Sequence, residues 1–259
     1  MYRYMYPISE VSFLRVTCCD TQHVYVHPTQ VHPWGTNPSG WLTYPTNGGK
    51  MSDKITLYYN PMSRATIAHW MLEESGAPYE LKYLDFEKRE HKTPEYLQLN
   101  AMGKVPTLVH EDTVITEVPA ICAYLADRFP EKNLCPPTTD PRRGTYYRWL
   151  FFGASCVEAA AADKALKRAN PEMSSTLGYG SYDDTFAALE QALQPGPFLL
   201  GEQFTTADVY IAAQLEWLMM FGSVEKTEVF TAYVGRCRER DAYQRYEKSR
   251  NELVANIKK

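Results

Sequence analysis

Apolar and polar residues fall into a regular order from residue 55 onward. Ile55, Leu57 and Tyr59 alternate with Thr56 and Tyr58 in a short β-rich run that Asn60-Pro61 ends. Behind Ser63, a residue type that caps helix starts, Ile67 with Met71 and Ala68 with Leu72 repeat at helical spacing, and Gly76 is a suitable stop. A second strand is predicted over 79–85, a charged loop over 87–92 and a short helical piece over 94–99. Val105-Pro106-Thr107-Leu108-Val109 reads as a strand opened by a proline, with 114–116 as its hairpin partner across Glu111-Asp112. A helix follows from Glu117, with Pro119 in its first turn and Ile121, Leu125 and Phe129 on one face. The order, βαβ and then ββα, predicts a mixed sheet with helices packed on it.

Residues 134–140 are rich in Pro and Thr and read as a linker. Beyond them the spacing is helical throughout, over 142–167, 182–193, 207–221 and from about 238. The third of these is apolar on most sides, which predicts the central helix of a bundle. Thr205 as N-cap with Asp208 three residues on forms a capping box that starts it. Two domains are therefore expected, an α/β domain over 53–134 and an all-helical domain over 135–259. Residues 1–52 lack apolar periodicity and read as an unstructured extension, with Met51 as a candidate second start. His23, His27 and His32 within it match no common zinc spacing.

Composition narrows the function classes. The 259 residues are 44% hydrophobic, enough for a core, and carry a net charge of -4 with no basic stripe, so nucleic acid is not expected as a partner. No apolar run approaches about 18 residues and the N-terminus lacks a signal-peptide layout, so no membrane span and a cytoplasmic location are expected. The six cysteines form no C-x-x-C and no zinc-ligand spacing, and no metal is expected.

Four motifs occur together in one known family. Pro61-Met62-Ser63-Arg64 resembles the catalytic-serine segment of cytosolic glutathione transferases, especially the bacterial-type, serine-using, phi- and theta-like ones. Residues 90–97 followed by 100–108 are similar to that family's loop and third strand. Ile115-Thr116-Glu117 before Ala120-Ile121 is similar to the start of its third helix, and residues 201–208 to its C-terminal capping segment. The resemblance covers residues 53–259. It implies a thioredoxin-like domain that binds glutathione, a helical domain with a pocket for a hydrophobic electrophile, a role in detoxification, a homodimer and no metal.

The same resemblance assigns roles residue by residue. Ser63, at the positive end of a helix, would hold glutathione as a thiolate, since a hydroxyl donor, free N–H groups and the helix dipole all favour the anion. Thr66 and the strand tyrosines Tyr58 and Tyr59 are rivals for that role. Pro106 is expected to be cis, with the Val105 backbone pairing with the glutathione cysteine as an added strand. Lys104, His91 and Lys92 would meet the glycine carboxylate. Glu117 would meet the γ-glutamyl ammonium, and the N–H groups behind it that group's carboxylate. Val118 stands where the family has Ser or Thr, so one side-chain hydrogen bond is missing. Tyr146, Trp149 and Phe152 read either as pocket lining or as core. Two other readings remain open, a glutathione-dependent reductase or peroxidase, and a non-catalytic scaffold of the same fold.

Overall fold

A computed structural model describes residues 55–168, 172 and 174–257. The expected extension and the candidate histidines lie outside the described residues.

Strand β1 (Ile55–Tyr59) runs between β2 (Tyr79–Tyr83), to which it is parallel, and β3 (Thr107–His110), to which it is antiparallel; β4 (Thr113–Thr116) completes the order β2-β1-β3-β4. Ile55, Leu57 and Tyr59 are buried on one face of β1 while Thr56 and Tyr58 take the other, as the alternation requires. β3 starts two residues later than its apolar run suggests, because the cis Val105-Pro106 bond precedes the ladder and Pro106 has no N–H to give it.

Helix α1 (Ala65–Ser75) carries Ile67, Trp70, Met71 and Leu72 into the core, each contributing about 1.5–3 kcal/mol of burial. It ends at Gly76, whose φ of 64° lets its N–H return to the Leu72 carbonyl. A short helix α2 (Pro94–Leu99) precedes β3, and α3 (Val118–Arg128) follows β4. The remaining elements are helical, which matches the expected order of an α/β half followed by a helical half: α4 (Arg142–Phe152), α5 (Glu158–Ala165), α6 (Tyr182–Leu193), α7 (Thr206–Met220), α8 (Glu228–Arg238) and α9 (Asp241–Ile257).

Two expectations for the helical half need correction. The helix predicted over 142–167 is broken by a π turn at Gly153–Val157. There the Gly153 carbonyl accepts both the Glu158 N–H, five residues on, and the side-chain Nε2 of Gln214 at 3.2 Å, so an α7 side chain competes for a ladder acceptor. A Cβ at residue 153 would stand 2.8 Å from the Tyr210 ring and 2.9 Å from Gln214, so glycine permits the close crossing. The second correction is α8, whose Phe230, Tyr233, Val234 and Cys237 are buried although mixed charges hid their spacing in the sequence.

The halves share one apolar core and several polar ties. Helix α7 is the central helix expected: its capping-box Asp208 is fully buried and accepts hydrogen bonds from the N–H groups of Thr205 and Leu199 and from the Tyr233 hydroxyl. Arg240 clasps Glu74 of α1 through two 2.8 Å bonds, and Arg143 of α4 clasps Asp127 of α3 at 2.7 and 2.8 Å. Helix α9 lies on α1, and its Arg250 donates at 3.3 Å to the Pro61 carbonyl beside Ser63.

Candidate functional site

The loop between β1 and α1 is tied down by its own side chains. Asn60 donates to the Leu84 carbonyl across to the end of β2 and accepts the Met62 N–H. Ser63 Oγ accepts the Ala65 N–H at 3.2 Å and donates to the Asn60 carbonyl at 2.7 Å. The helix proper begins at Ala65 with Arg64 in the cap position, two residues later than the Ser63 start predicted, yet the serine oxygen still accepts the N–H of the first helical residue.

Across from this loop opens a cavity of about 390 Å³, bordered by Arg64, Lys104, Val105, Pro106, Glu117 and Val118. Its backbone is held by two donors to the Lys104 carbonyl, the Tyr96 hydroxyl at 2.5 Å and Asn100 Nδ2 at 2.9 Å. Val105 makes no backbone hydrogen bond among the described residues, so it presents an unused edge to the cavity. Glu117 sits at φ 66° and ψ 119°, a conformation unfavourable for any residue but glycine, and such strain recurs where a site demands a fixed geometry. Immediately after it, the N–H groups of Val118 and Ala120 have no partner among the described residues. An acidic side chain, the free N–H of Val118 at a helix start, a lysine and the unpaired Val105 backbone thus border one space. That set suits a peptide bearing both an ammonium and carboxylates.

The other expected residues are placed elsewhere. Ser63 is half-buried beside the cavity and not part of its wall, which its neighbour Arg64 forms instead. His91 and Lys92 also stand off the cavity. Lys92 Nζ donates to the Met102 carbonyl at 2.8 Å, and His91 packs edge-on to Phe86, its imidazole lowered from the ordinary value chiefly by desolvation. Tyr59 is fully buried against His69, and burial raises its phenol well above the ordinary value. Tyr58 faces the opposite side of the sheet, against Tyr96 and Lys82. Thr66 donates to the Ser63 carbonyl at 3.0 Å.

A second cavity, of about 220 Å³, is lined by α1, α5 and α7. Ala161, Ala162, Ala213, Trp217 and Phe221 give it apolar walls, and Thr66 borders it. Tyr146, Trp149 and Phe152 belong to the core and its margin instead, Tyr146 bonding to Thr206 at 2.7 Å. Arg64 and Glu158 border both cavities and form an ion pair at 3.0 Å. Neither they nor Tyr210, which also borders the first cavity, stood out in the sequence. Glu158 is aimed by the π turn, and Tyr210 lies in a helix apolar on most sides; only the serine-adjacent position of Arg64 offered a signal.

Residues 53–127 match the family description "Glutathione S-transferase, N-terminal domain" and residues 158–234 "Glutathione S-transferase, C-terminal domain". Glutathione S-transferase 1 of Dianthus caryophyllus is 32% identical over 171 residues, 63% of this chain and 77% of that protein. The chain belongs to the glutathione S-transferase family. It is similar also to glutathione S-transferase GstA of Escherichia coli O157:H7, 28% identical over 73% of this chain and 96% of that enzyme. A Sulfitobacter glutathione transferase homologue, solved with bound glutathione, superposes with a TM-score of 0.62 at 27% identity over 76% of this chain and 99% of its own. The chain is thus a transferase with glutathione as co-substrate, and its α/β half carries the N-terminal domain of the family.

Proposed function

We propose that glutathione lies in the larger cavity, that Ser63 holds it as a thiolate, and that the thiolate attacks a hydrophobic electrophile seated in the smaller, apolar cavity. The observation that carries this reading is the convergence of Lys104, the unpaired Val105 backbone, strained Glu117 and the free N–H of Val118 on one space. In this scheme Val105 pairs with the cysteine, Glu117 takes the γ-glutamyl ammonium, and the α3 N-terminus takes that group's carboxylate without the hydroxyl that Val118 lacks. Lys104 takes the glycine carboxylate, while Lys92 and His91 brace the turn behind it. The Ser63 hydroxyl leaves the Asn60 carbonyl for the thiolate and keeps the Ala65 N–H.

The same reading makes residues 53–134 the glutathione domain and 135–259 the electrophile domain, with detoxification in the cytoplasm as the role. It also makes the protein a homodimer, for which the exposed rings of Tyr147 and Phe151 on α4 are the surface offered. Incubating the full chain with glutathione and apolar electrophiles, and following the thioether by mass spectrometry, tests the activity. Thiol oxidation without conjugate would favour the reductase reading. The Val118 departure favours a weakly binding scaffold, which glutathione binding without turnover of any substrate would support.

A further inference from the structure

The charged pair between the two cavities has no part in that scheme. Arg64 follows Ser63 directly, and its guanidinium is the only cation on the wall of the apolar cavity among the described residues. It bonds to Glu158 Oε1 at 3.0 Å, and both side chains are partly exposed, 53% and 37%. An ion pair so exposed is worth little by itself and exchanges readily for another anion. A thiolate beside Ser63 would attack an electrophile on the side where Arg64 stands, at the boundary where the reacting atoms of both substrates must meet.

We propose that Arg64 is a catalytic residue for the electrophile: it receives the negative charge that the electrophile acquires on oxygen during attack, and Glu158 positions and moderates it. The enzyme accordingly selects α,β-unsaturated carbonyl and nitro compounds over alkyl halides. This rests on the placement of the thiolate given above. With an enone, the sulfur lone pair forms the C–S bond at the β-carbon and the C=C pair shifts to the Cα–C bond. The carbonyl π pair moves onto oxygen beside the guanidinium, and the resulting enolate takes a proton from water at the α-carbon. The thiol proton left to solvent when the thiolate formed, so the sum is thiol plus alkene giving thioether. The flat guanidinium fork matches two-lobed oxygen acceptors, whereas a large, soft leaving iodide takes hydrogen bonds poorly.

The test compares kcat/KM for an α,β-unsaturated ketone and for a primary alkyl iodide of similar size, in wild type, Arg64→Gln, Arg64→Lys and Glu158→Gln. Arg64→Gln should lower the enone-to-iodide ratio at least tenfold, and Arg64→Lys should recover only part, because a point charge lacks the fork. Glu158→Gln should raise the ratio about threefold or more by releasing the guanidinium. Equal losses on both substrates in Arg64→Gln would show that Arg64 serves glutathione and would overturn the proposal. So would a rise in the bound-thiol titration midpoint that accounts for the whole rate loss. Wild type that conjugates neither compound would remove the Ser63 scheme as well, while an unchanged ratio with conjugation intact removes the Arg64 role alone.

Discussion

Replacing Ser63 with alanine separates two jobs that the structure gives one oxygen. The hydroxyl donates to the Asn60 carbonyl at 2.7 Å and accepts from the Ala65 N–H at 3.2 Å. Turning it toward a thiolate gives up a neutral hydrogen bond, about 0.5–1.5 kcal/mol, for one to a charged group, about 1.5–3 kcal/mol. The net preference for the anion is therefore about 1–1.5 kcal/mol, or about one pKa unit at 1.36 kcal/mol each. The start of α1 adds about 0.3–1 kcal/mol that alanine does not remove. In Ser63→Ala the bound thiol should titrate about one unit higher. Conjugation at pH 7 should fall about tenfold and recover at alkaline pH, with glutathione affinity nearly unchanged. The lost bond to the Ala65 N–H should separately cost about 0.5–2 kcal/mol, a melting-temperature fall of a few degrees. The assay is ultraviolet thiolate absorbance of the binary complex against pH, beside conjugation rates and a melting curve. A thiolate midpoint identical in wild type and Ser63→Ala would refute the reasoning and turn attention to Thr66, which borders the apolar cavity from the first turn of α1.

Glu117→Gly should relieve the positive-φ strain and raise stability by about 1 kcal/mol while weakening glutathione binding, a trade visible in paired denaturation and calorimetric titrations. Gly153→Ala should destabilise the fold by about 1–3 kcal/mol, because the added Cβ meets Tyr210, Gln214 and Ile211 below 3.0 Å; an unchanged urea midpoint would contradict the crossing described. Burial lowers the His69 imidazole to about 4, below its unfolded value of about 6.5, so the unfolded chain binds the extra proton between those values. Stability should thus be complete above pH 6.5 and fall by about 3 kcal/mol by pH 4, a loss that urea titrations should find reduced in His69→Gln. Arg240→Ala strips Glu74 of a bidentate partner that is itself partly exposed, and thermal melts should show a loss of about 2–4 kcal/mol.

What the sequence revealed was local. The alternation in 55–59, the helical spacing behind Ser63, Gly76 and the Thr205–Asp208 capping box each depend on neighbours within a few residues, and all appear as expected. Lys104, Val105, Pro106, Glu117 and Val118 meet in one cavity because β3, the hairpin and α3 follow one another directly in the chain. Long-range features escaped. The π turn exists because Gln214 reaches Gly153 from 61 residues away, and no pattern within 142–167 encodes that bond. The choice between pocket and core for Tyr146, Trp149 and Phe152 depended on which side of α4 meets α7. The role of Tyr59 was decided by α9, whose Tyr246 covers the same His69 ring.

The placement of glutathione between Lys104 and Glu117 is the claim on which the mechanism depends. Isothermal titration of glutathione into wild type, Lys104→Ala and Glu117→Ala tests it most directly. The account predicts saturable binding to wild type and a loss of about 1.5–3 kcal/mol in each variant, one charge-assisted hydrogen bond apiece. Equal affinity in all three proteins would contradict it.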